Sequence, residues 1–93
     1  MNSVNIIGSL VEQDENDSCI RYCIVEKHFF FNSDDEAYDK VPLMNWNKEE
    51  NGELFSFSNN TLVGIKGRVE NYRNILVIVI ESIIYLGAGK RNV

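Results

Sequence analysis

One segment, residues 60–86, restricts the possible folds more than any other part of the chain. Over residues 62–70 apolar side chains alternate with charged ones, and this period of two predicts a half-buried strand with one face in water. Turn-forming residues follow at 71–74. Residues 75–80 are then all apolar and mostly β-branched, which favours a second strand over a helix. The segment therefore predicts two antiparallel strands joined by a tight turn.

The apolar strand over residues 75–80 also bears on assembly. A strand that is apolar on both faces has to be covered on both faces. A chain of 93 residues buries only about 60–65% of its unfolded surface, so a second copy of the protein is one source of that cover. We predict a homodimer or homotetramer that uses this strand and the outer face of the first strand. The predicted interface residues are Ile7, Ile78, Val79 and Ile80.

Three further strands are predicted upstream, over residues 4–11, 19–31 and 40–46. In the second of them we expect Ile20, Tyr22 and Ile24 to point inward. Residues 47–60 form a partly buried connector whose conformation the sequence leaves open. Five short strands without a long helix predict one all-β domain, either a small closed barrel or a sandwich.

The charge is unevenly distributed along the chain. Fourteen acidic and nine basic residues give a net charge of −5, which by itself argues against a polyanionic partner. Residues 32–53 hold seven acidic and two basic residues, whereas residues from 64 onward hold five basic and two acidic ones. A local basic face can bind phosphates even when the whole molecule is acidic.

Several classes of protein are disfavoured. We find no apolar stretch of about 20 residues and no export signal pattern, so we expect a cytoplasmic protein with no membrane partner. Cys19 and Cys23 would lie about 13 Å apart on one strand, too far for a disulfide. With two cysteines and one histidine, we predict reduced thiols, no metal and no cofactor.

Catalysis is also disfavoured. His28 has no sequence-adjacent nucleophile, and no metal-binding or phosphate-cradling motif is present. The neighbouring carboxylates at 34–35 and 49–50 lie in polar loops, where solvated rather than perturbed groups are expected. We predict a protein that is not an enzyme.

Four segments together resemble the bacterial single-stranded DNA-binding protein family. Residues 1–10 look like the family's opening strand with its glycine, and residues 41–46 like its third strand, which ends in Trp. Residues 62–69 look like the fourth strand with its Gly-Arg, and residues 81–86 like the close of the fifth strand. The resemblance implies an OB fold, a five-stranded Greek-key barrel with little or no helix, over residues 1–87, with a flexible tail over 88–93. It also implies sequence-independent binding of single-stranded DNA in replication, recombination or repair.

The chain departs from that family in three ways. The hairpin between the last two strands is short, the connector lacks the usual helix pattern, and the acidic, apolar C-terminal tip that recruits replication proteins is missing. In size the chain is similar to primosomal OB-fold subunits related to the family. These departures support an alternative function, a protein–protein interaction module with a degenerate DNA surface.

Single-strand binders need aromatic faces for base stacking and cations for the phosphates. The candidate residues are Phe30, Trp46 and Tyr72 for stacking, and Lys27, Lys66, Arg68 and Arg73 for phosphates. The aromatic residues could instead pack in the core or in a subunit interface. The cations could instead lie on an ordinary solvent-exposed face without contacting phosphates. Alternation exposes either Phe30 or its two Phe neighbours, and the resemblance places Phe30 near a stacking position. RNA is a second possible ligand, since stacking does not sense the 2′-hydroxyl.

Overall fold

The computed structural model describes residues 2–27 and 37–88. They form β1 (Val4–Gln13), β2 (Ile20–Lys27), β3 (Ala37–Asn45), the helical turn α1 (Glu53–Ser56), β4 (Thr61–Tyr72) and β5 (Ile75–Ala88). The strands close into a barrel in the order β1-β2-β3-β5-β4, and only the β3–β5 pair is parallel. The prediction of a five-stranded all-β barrel is confirmed, and the sandwich is excluded. β5 includes Ala88, the first residue of the predicted tail, and residues 89–93 lie outside the described part.

Alternate residues of all five strands fill the barrel, as the period-two patterns of β1 and β4 predict. Leu54 of α1 closes one end and is fully buried, which confirms the partly buried connector. The buried members of this core are Leu10, Cys23, Leu43, Leu54, Val63, Ile65, Ile78 and Ile80.

Two glycines allow neighbouring strands to approach closely. A Cβ on Gly8 would lie 2.5 Å from Sγ of Cys23, and a Cβ on Gly67 would overlap the carbonyl oxygen of Val79. The β4–β5 register also shifts between Lys66 and Gly67. The glycine in β4 therefore marks a bulge with close backbone contact, as its place inside a strand pattern predicts.

The β4–β5 hairpin ends in a two-residue turn. Arg73 and Asn74 both have positive φ, at 51° and 69°, and Tyr72 pairs with Ile75 across them. Positive φ at both central positions is typical of the type I′ turn, whose twist matches that of the flanking strands. The tight turn predicted at residues 71–74 is confirmed, and it holds Tyr72 and Arg73 at the hairpin tip.

The predicted orientation of β2 is wrong. Cys23 packs in the barrel core, whereas Ile20 and Tyr22 face the outside of the barrel. The alternation could not decide between the two faces, because both sets of residues in this strand include apolar side chains. Ile20 is nevertheless only 3% exposed, because a second apolar cluster covers it from outside. This outer cluster consists of Ile20, Met44, Val77 and Val79, with Cys19, Tyr22 and Tyr72 packed against it.

Three of the four predicted interface residues are buried within the single chain. Ile78 and Ile80 belong to the barrel core and Val79 to the outer cluster, and all three are less than 9% exposed within the single chain. The second cover for β5 therefore comes from β2, β3 and the hairpin tip rather than from another copy. Ile7 differs, since it is 63% exposed on the outer side of β1.

Candidate nucleic-acid interface

The outer cluster supports a surface with two tyrosine rings, which we name the tyrosine face and define by Tyr22, Lys40, Lys48, Tyr72 and Arg73. Tyr22 lies on β2 and Tyr72 at the end of β4, and both pack against the apolar side chains beneath them. Because the buried apolar side chains of the outer cluster support each ring, the rings have fixed positions on the barrel surface.

Tyr22 is held at its hydroxyl and covered on its ring. Its phenol donates a 2.6 Å hydrogen bond to Oδ1 of Asp14, in the loop between β1 and β2. Nζ of Lys40 lies 4.5 Å from the ring centroid, a cation–π distance. The same ammonium group reaches Oε1 of Glu12 at 3.3 Å. The phenol hydrogen bond lowers the pKa of Asp14 and raises that of Tyr22.

Tyr72 repeats this arrangement at the other side of the outer cluster. Its phenol donates a 2.8 Å hydrogen bond to Oδ2 of Asp17. The Arg73 guanidinium lies 5.1 Å from the ring centroid, and Nζ of Lys48 lies 6.0 Å from it. The phenol lowers the pKa of Asp17, and the carboxylate raises the pKa of Tyr72.

The acidic β1–β2 loop therefore lies at the aromatic surface itself. Asp14 and Asp17 each accept a phenol hydrogen bond, which ties the loop to the two rings. The cations over the rings place positive charge beside each aromatic face, the combination that single-strand binding requires.

Trp46 follows directly after the end of β3. It lies in a turn in which the Lys48 N–H donates to the Asn45 carbonyl at 2.9 Å. The Asn45 amide in turn donates to the carbonyls of Glu49 and Asn51, which orders the loop. Trp46 is 75% exposed, so an indole is presented to solvent close in sequence to the Lys48 ammonium.

The structure does not bring all predicted phosphate contacts together. Lys66 and Tyr72 are on the same side of β4, but six residues of strand rise put them roughly 20 Å apart. Arg68 is engaged by two carboxylates, Glu70 at 2.6 Å and Glu81 at 3.3 Å. The hydrogen bond that Arg68 donates to Glu70 raises the pKa of Arg68. Among the predicted residues whose side chains the structure describes, Tyr72 and Arg73 belong to the tyrosine face. Trp46 is two residues from Lys48 in the chain.

The side chain of Lys27 and the whole of Phe30 lie outside the part of the chain that the structure describes. The backbone of Lys27 pairs with Ala37 at the end of β2, and Phe30 falls in residues 28–36, outside the described part. Their roles stay predictions. Sequence reasoning missed Tyr22, Lys40 and Lys48. The β2–β3 register pairs Tyr22 with Pro42, and Lys40, Pro42 and the outer-cluster residue Met44 alternate on one side of β3, but this signal needed the correct face of β2.

Within residues 2–27 and 37–88, no three His, Cys, Asp or Glu side chains come together as a metal site would require. No helix in the same residues is long and apolar enough to cross a membrane.

Comparison with known proteins bears on the fold. No family model matches the chain, and no curated protein matches it. The N-terminal domain of PriB from Thermoanaerobacter tencongensis, solved as a dimer, superposes with a TM-score of 0.57 at 20% identity, covering 91% of this chain and 96% of that one. The mitochondrial single-stranded DNA binding protein Rim1 from S. cerevisiae superposes with a TM-score of 0.51 at 17% identity, covering 96% and 97%. At these identities the similarity establishes the fold. It therefore supports the OB fold that the sequence resemblance implies.

Proposed function

We propose that this protein binds single-stranded DNA, without strong sequence preference, on its tyrosine face. The observation that carries the proposal is the pair of tyrosine rings, each with a cation over its ring and each fixed on the outer cluster. In OB folds, the surface of strands 2 and 3 with the loops between strands 1 and 2 and strands 4 and 5 binds oligonucleotides. The tyrosine face combines these same elements.

Lys40 and Arg73 each have two positions available in this mechanism. In the free protein each lies over a tyrosine ring and near a carboxylate, as Arg73 does between Tyr72 and Asp17. A base that stacks on the ring contributes about 1–3 kcal/mol and brings its phosphate close to the cation. The cation then moves from the ring to the phosphate. Stacking does not distinguish the bases, which accounts for the lack of sequence preference.

The two similar structures support this proposal. One is a single-stranded DNA binding protein and the other a PriB domain solved as a dimer. We place the protein in the cytoplasm, in replication, recombination or repair, with replication proteins as further partners and with no catalytic step.

A homo-oligomer is part of the proposal, on a surface that keeps Ile7 of β1 from the predicted interface but not Ile78, Val79 and Ile80. Ile7, Gly64 and Ile84 pair in one row across β1, β4 and β5. Ile7 and Ile84 are 63% and 61% exposed, and Leu86 lies beside Gly64. Contiguous exposed apolar side chains mark interaction sites, so we propose this row as the subunit contact.

Fluorescence anisotropy tests DNA binding directly. A labelled oligo-dT of about 35 nucleotides is titrated with the protein at several salt concentrations. Three cations on the tyrosine face predict a log–log slope of the association constant against salt near −2. No binding at low salt by the folded protein would overturn the proposal, and equal affinity for oligo-U would widen it to RNA.

A second candidate function, a protein–protein interaction module, has its own support. The net charge is −5, and Arg68 is already paired with Glu70 and Glu81. Both features reduce attraction for a polyanion. An apolar protein contact would show almost no salt dependence, so the same titration separates the two functions.

A further inference from the structure

A groove of about 370 Å³ lies at the end of the barrel away from the hairpin tip. It is lined by residues 56–61, which lead from α1 into β4, together with Tyr85 and Ala88 of β5. Thr61 pairs with Ala88 at this end of the β4–β5 hairpin, whereas Tyr72 pairs with Ile75 at the other. The groove is therefore distinct from the tyrosine face.

Arg21 organises one wall of this groove. It is 4% exposed, and its guanidinium donates to the carbonyls of Val11, Leu54 and Phe57 at 2.7, 2.8 and 2.6 Å. It also donates to Oδ1 of Asn59 at 2.9 Å. Within the described part of the chain its partners are neutral oxygens rather than a carboxylate. A buried cation is costly unless hydrogen-bonded. Here three of the four bonds fix the segment that leads into and lines the groove, and the fourth ties Arg21 to β1.

The contact with Arg21 sets the chemistry of Asn59. Because Oδ1 accepts from the guanidinium, the Asn59 amide has its Nδ2 hydrogens available as donors. The neighbouring backbone is also fixed. The Thr61 hydroxyl donates to the Ser58 carbonyl at 2.7 Å, and the Asn60 N–H donates to the Leu10 carbonyl at 2.7 Å. The wall is therefore held in place before any ligand arrives, which reduces the entropy lost on binding.

The other wall of the groove is aromatic. Tyr85 is 59% exposed, and its ring centroid lies 6.0 Å from that of Phe57, with the planes tilted by 33°. The described residues that line the groove are all uncharged, so nothing in the lining selects a phosphate or a carboxylate. An aromatic face beside amide and hydroxyl groups suits a planar, neutral ring with polar edges, and unstacked nucleobases are recognised in this way.

We propose that this groove binds a single nucleobase, which stacks on Tyr85 and accepts a hydrogen bond from Nδ2 of Asn59. Each base can supply the acceptor, thymine and uracil as a carbonyl oxygen and adenine as a ring nitrogen, so the groove takes any base. The inference extends the proposed single-strand binding by a base contact at the opposite end of the barrel. It needs no phosphate, so nucleosides alone can test it.

The experiment is a titration of the ¹⁵N-labelled protein with thymidine and with adenosine, followed by ¹H–¹⁵N correlation spectra. We expect thymidine and adenosine at millimolar concentrations each to shift the Asn59 side-chain amide and the backbone amides of residues 56–61. Tyr85→Ala should weaken the response to both nucleosides at least about fivefold. Asn59→Asp keeps an acceptor for Arg21 but removes the donor, so it should also weaken the response to both. Leu76→Ala, at an exposed position near the hairpin tip, is the control and should leave the shifts at the groove unchanged.

Two results would overturn the inference: no shifts at the groove in the folded protein, or equal shifts for a neutral sugar such as maltose. If oligo-dT still binds while thymidine leaves the groove unshifted, the base site is excluded and binding at the tyrosine face stands. If thymidine shifts the groove while oligo-dT binding shows no salt dependence, the base site stands and the phosphate contacts at the tyrosine face do not.

Discussion

The phenol of Tyr72 donates a 2.8 Å hydrogen bond to Oδ2 of Asp17, and this contact joins the tip of the β4–β5 hairpin to the β1–β2 loop. Asp17 also accepts from the Cys19 backbone N–H at 3.1 Å, and its loop neighbour Asp14 accepts from Tyr22. Two aromatic rings on different strands thus depend on one acidic loop for their orientation.

Stability should therefore change with pH through Asp17. The phenol of Tyr72 lowers the pKa of this carboxyl in the folded state. A lowered folded pKa gives stabilisation that is present above the unfolded value of about 3.9 and is lost as the pH falls through the folded pKa. We expect Asp17→Asn to lower the melting temperature at about pH 7 and to have little effect at about pH 2. Thermal unfolding followed by circular dichroism measures both values.

Glu15→Gln is the control for that experiment. Glu15 is an exposed acid of the same loop, and its replacement should leave the melting temperature close to that of the wild type at both pH values. A gap between the wild type and Asp17→Asn that is the same at both pH values would contradict the proposed hydrogen-bond contribution.

Arg21→Met should destabilise the barrel strongly. The substitution leaves the carbonyls of Val11, Leu54 and Phe57 without their donor in a buried site. Unsatisfied buried groups cost about 1–3 kcal/mol each, partly offset by local rearrangement, so we expect a loss of roughly 2–4 kcal/mol in the free energy of unfolding. Urea denaturation measures the loss. Arg21→Lys retains the charge but not the planar guanidinium, so its free energy of unfolding should lie between those of the wild type and Arg21→Met. A Met variant as stable as the wild type would refute the role of Arg21.

Two glycines of β4 give a matched pair of substitutions. In Gly67→Ala the new Cβ overlaps the Val79 carbonyl and lies 3.1 Å from Cγ2 of Ile78, so strands β4 and β5 must separate. We expect a loss of about 1–3 kcal/mol, as for overpacked cores. In Gly64→Ala the nearest atom, Cδ1 of Leu86, is 3.5 Å away, an ordinary contact. Equal unfolding free energies for the two variants would show that the close approach at Gly67 is unimportant.

Ring stacking can be separated from the hydroxyl contact at Tyr72. Tyr72→Ala removes the ring and should weaken oligo-dT binding by about 1–3 kcal/mol, or roughly 5- to 150-fold. Tyr72→Phe keeps the ring but loses the hydrogen bond to Asp17, and it should retain most of the affinity. Quenching of Trp46, the only tryptophan, provides the measurement if its exposed indole also stacks. Similar affinities for the Ala and Phe variants would exclude stacking at this ring.

The subunit contact can be tested by two substitutions in β5. Ile84→Asp places a charge on the exposed row with Ile7 and Gly64, and we expect a folded monomer by light scattering. Val79→Asp places a charge in the outer cluster, where the side chain is 3% exposed. We expect that variant to unfold rather than to dissociate. An oligomer of unchanged mass in folded Ile84→Asp would remove this row from the interface.

Strand periodicity predicts most of the fold, because the inward apolar positions of β1 and β4 alternate mostly with polar residues or glycine, with Ile7, Val11 and Leu62 as exceptions. The same reasoning points the wrong face of β2 into the barrel, since Ile20 is buried outside it by contacts with β3 and β5 that are distant in sequence. For the same reason the predicted inward position of Tyr22 is wrong, and the cover of Val79 within the single chain is not predicted. The Arg68–Glu81 ion pair is likewise a property of the β4–β5 register, which no single segment encodes.

The pairing of β1 with β4 has a consequence for synthesis. Val4 pairs with Gly67, about sixty residues further along the chain. At a translation rate of about 5–20 residues per second, the first strand waits several seconds for its partner. During that time β1, β2 and β3 form at most an open sheet, because both strands that close the barrel are made last. A nascent chain stalled before residue 61 would keep an unpaired β1 edge with Ile7 beside it, so binding of a chaperone is expected in this interval, before release from the ribosome.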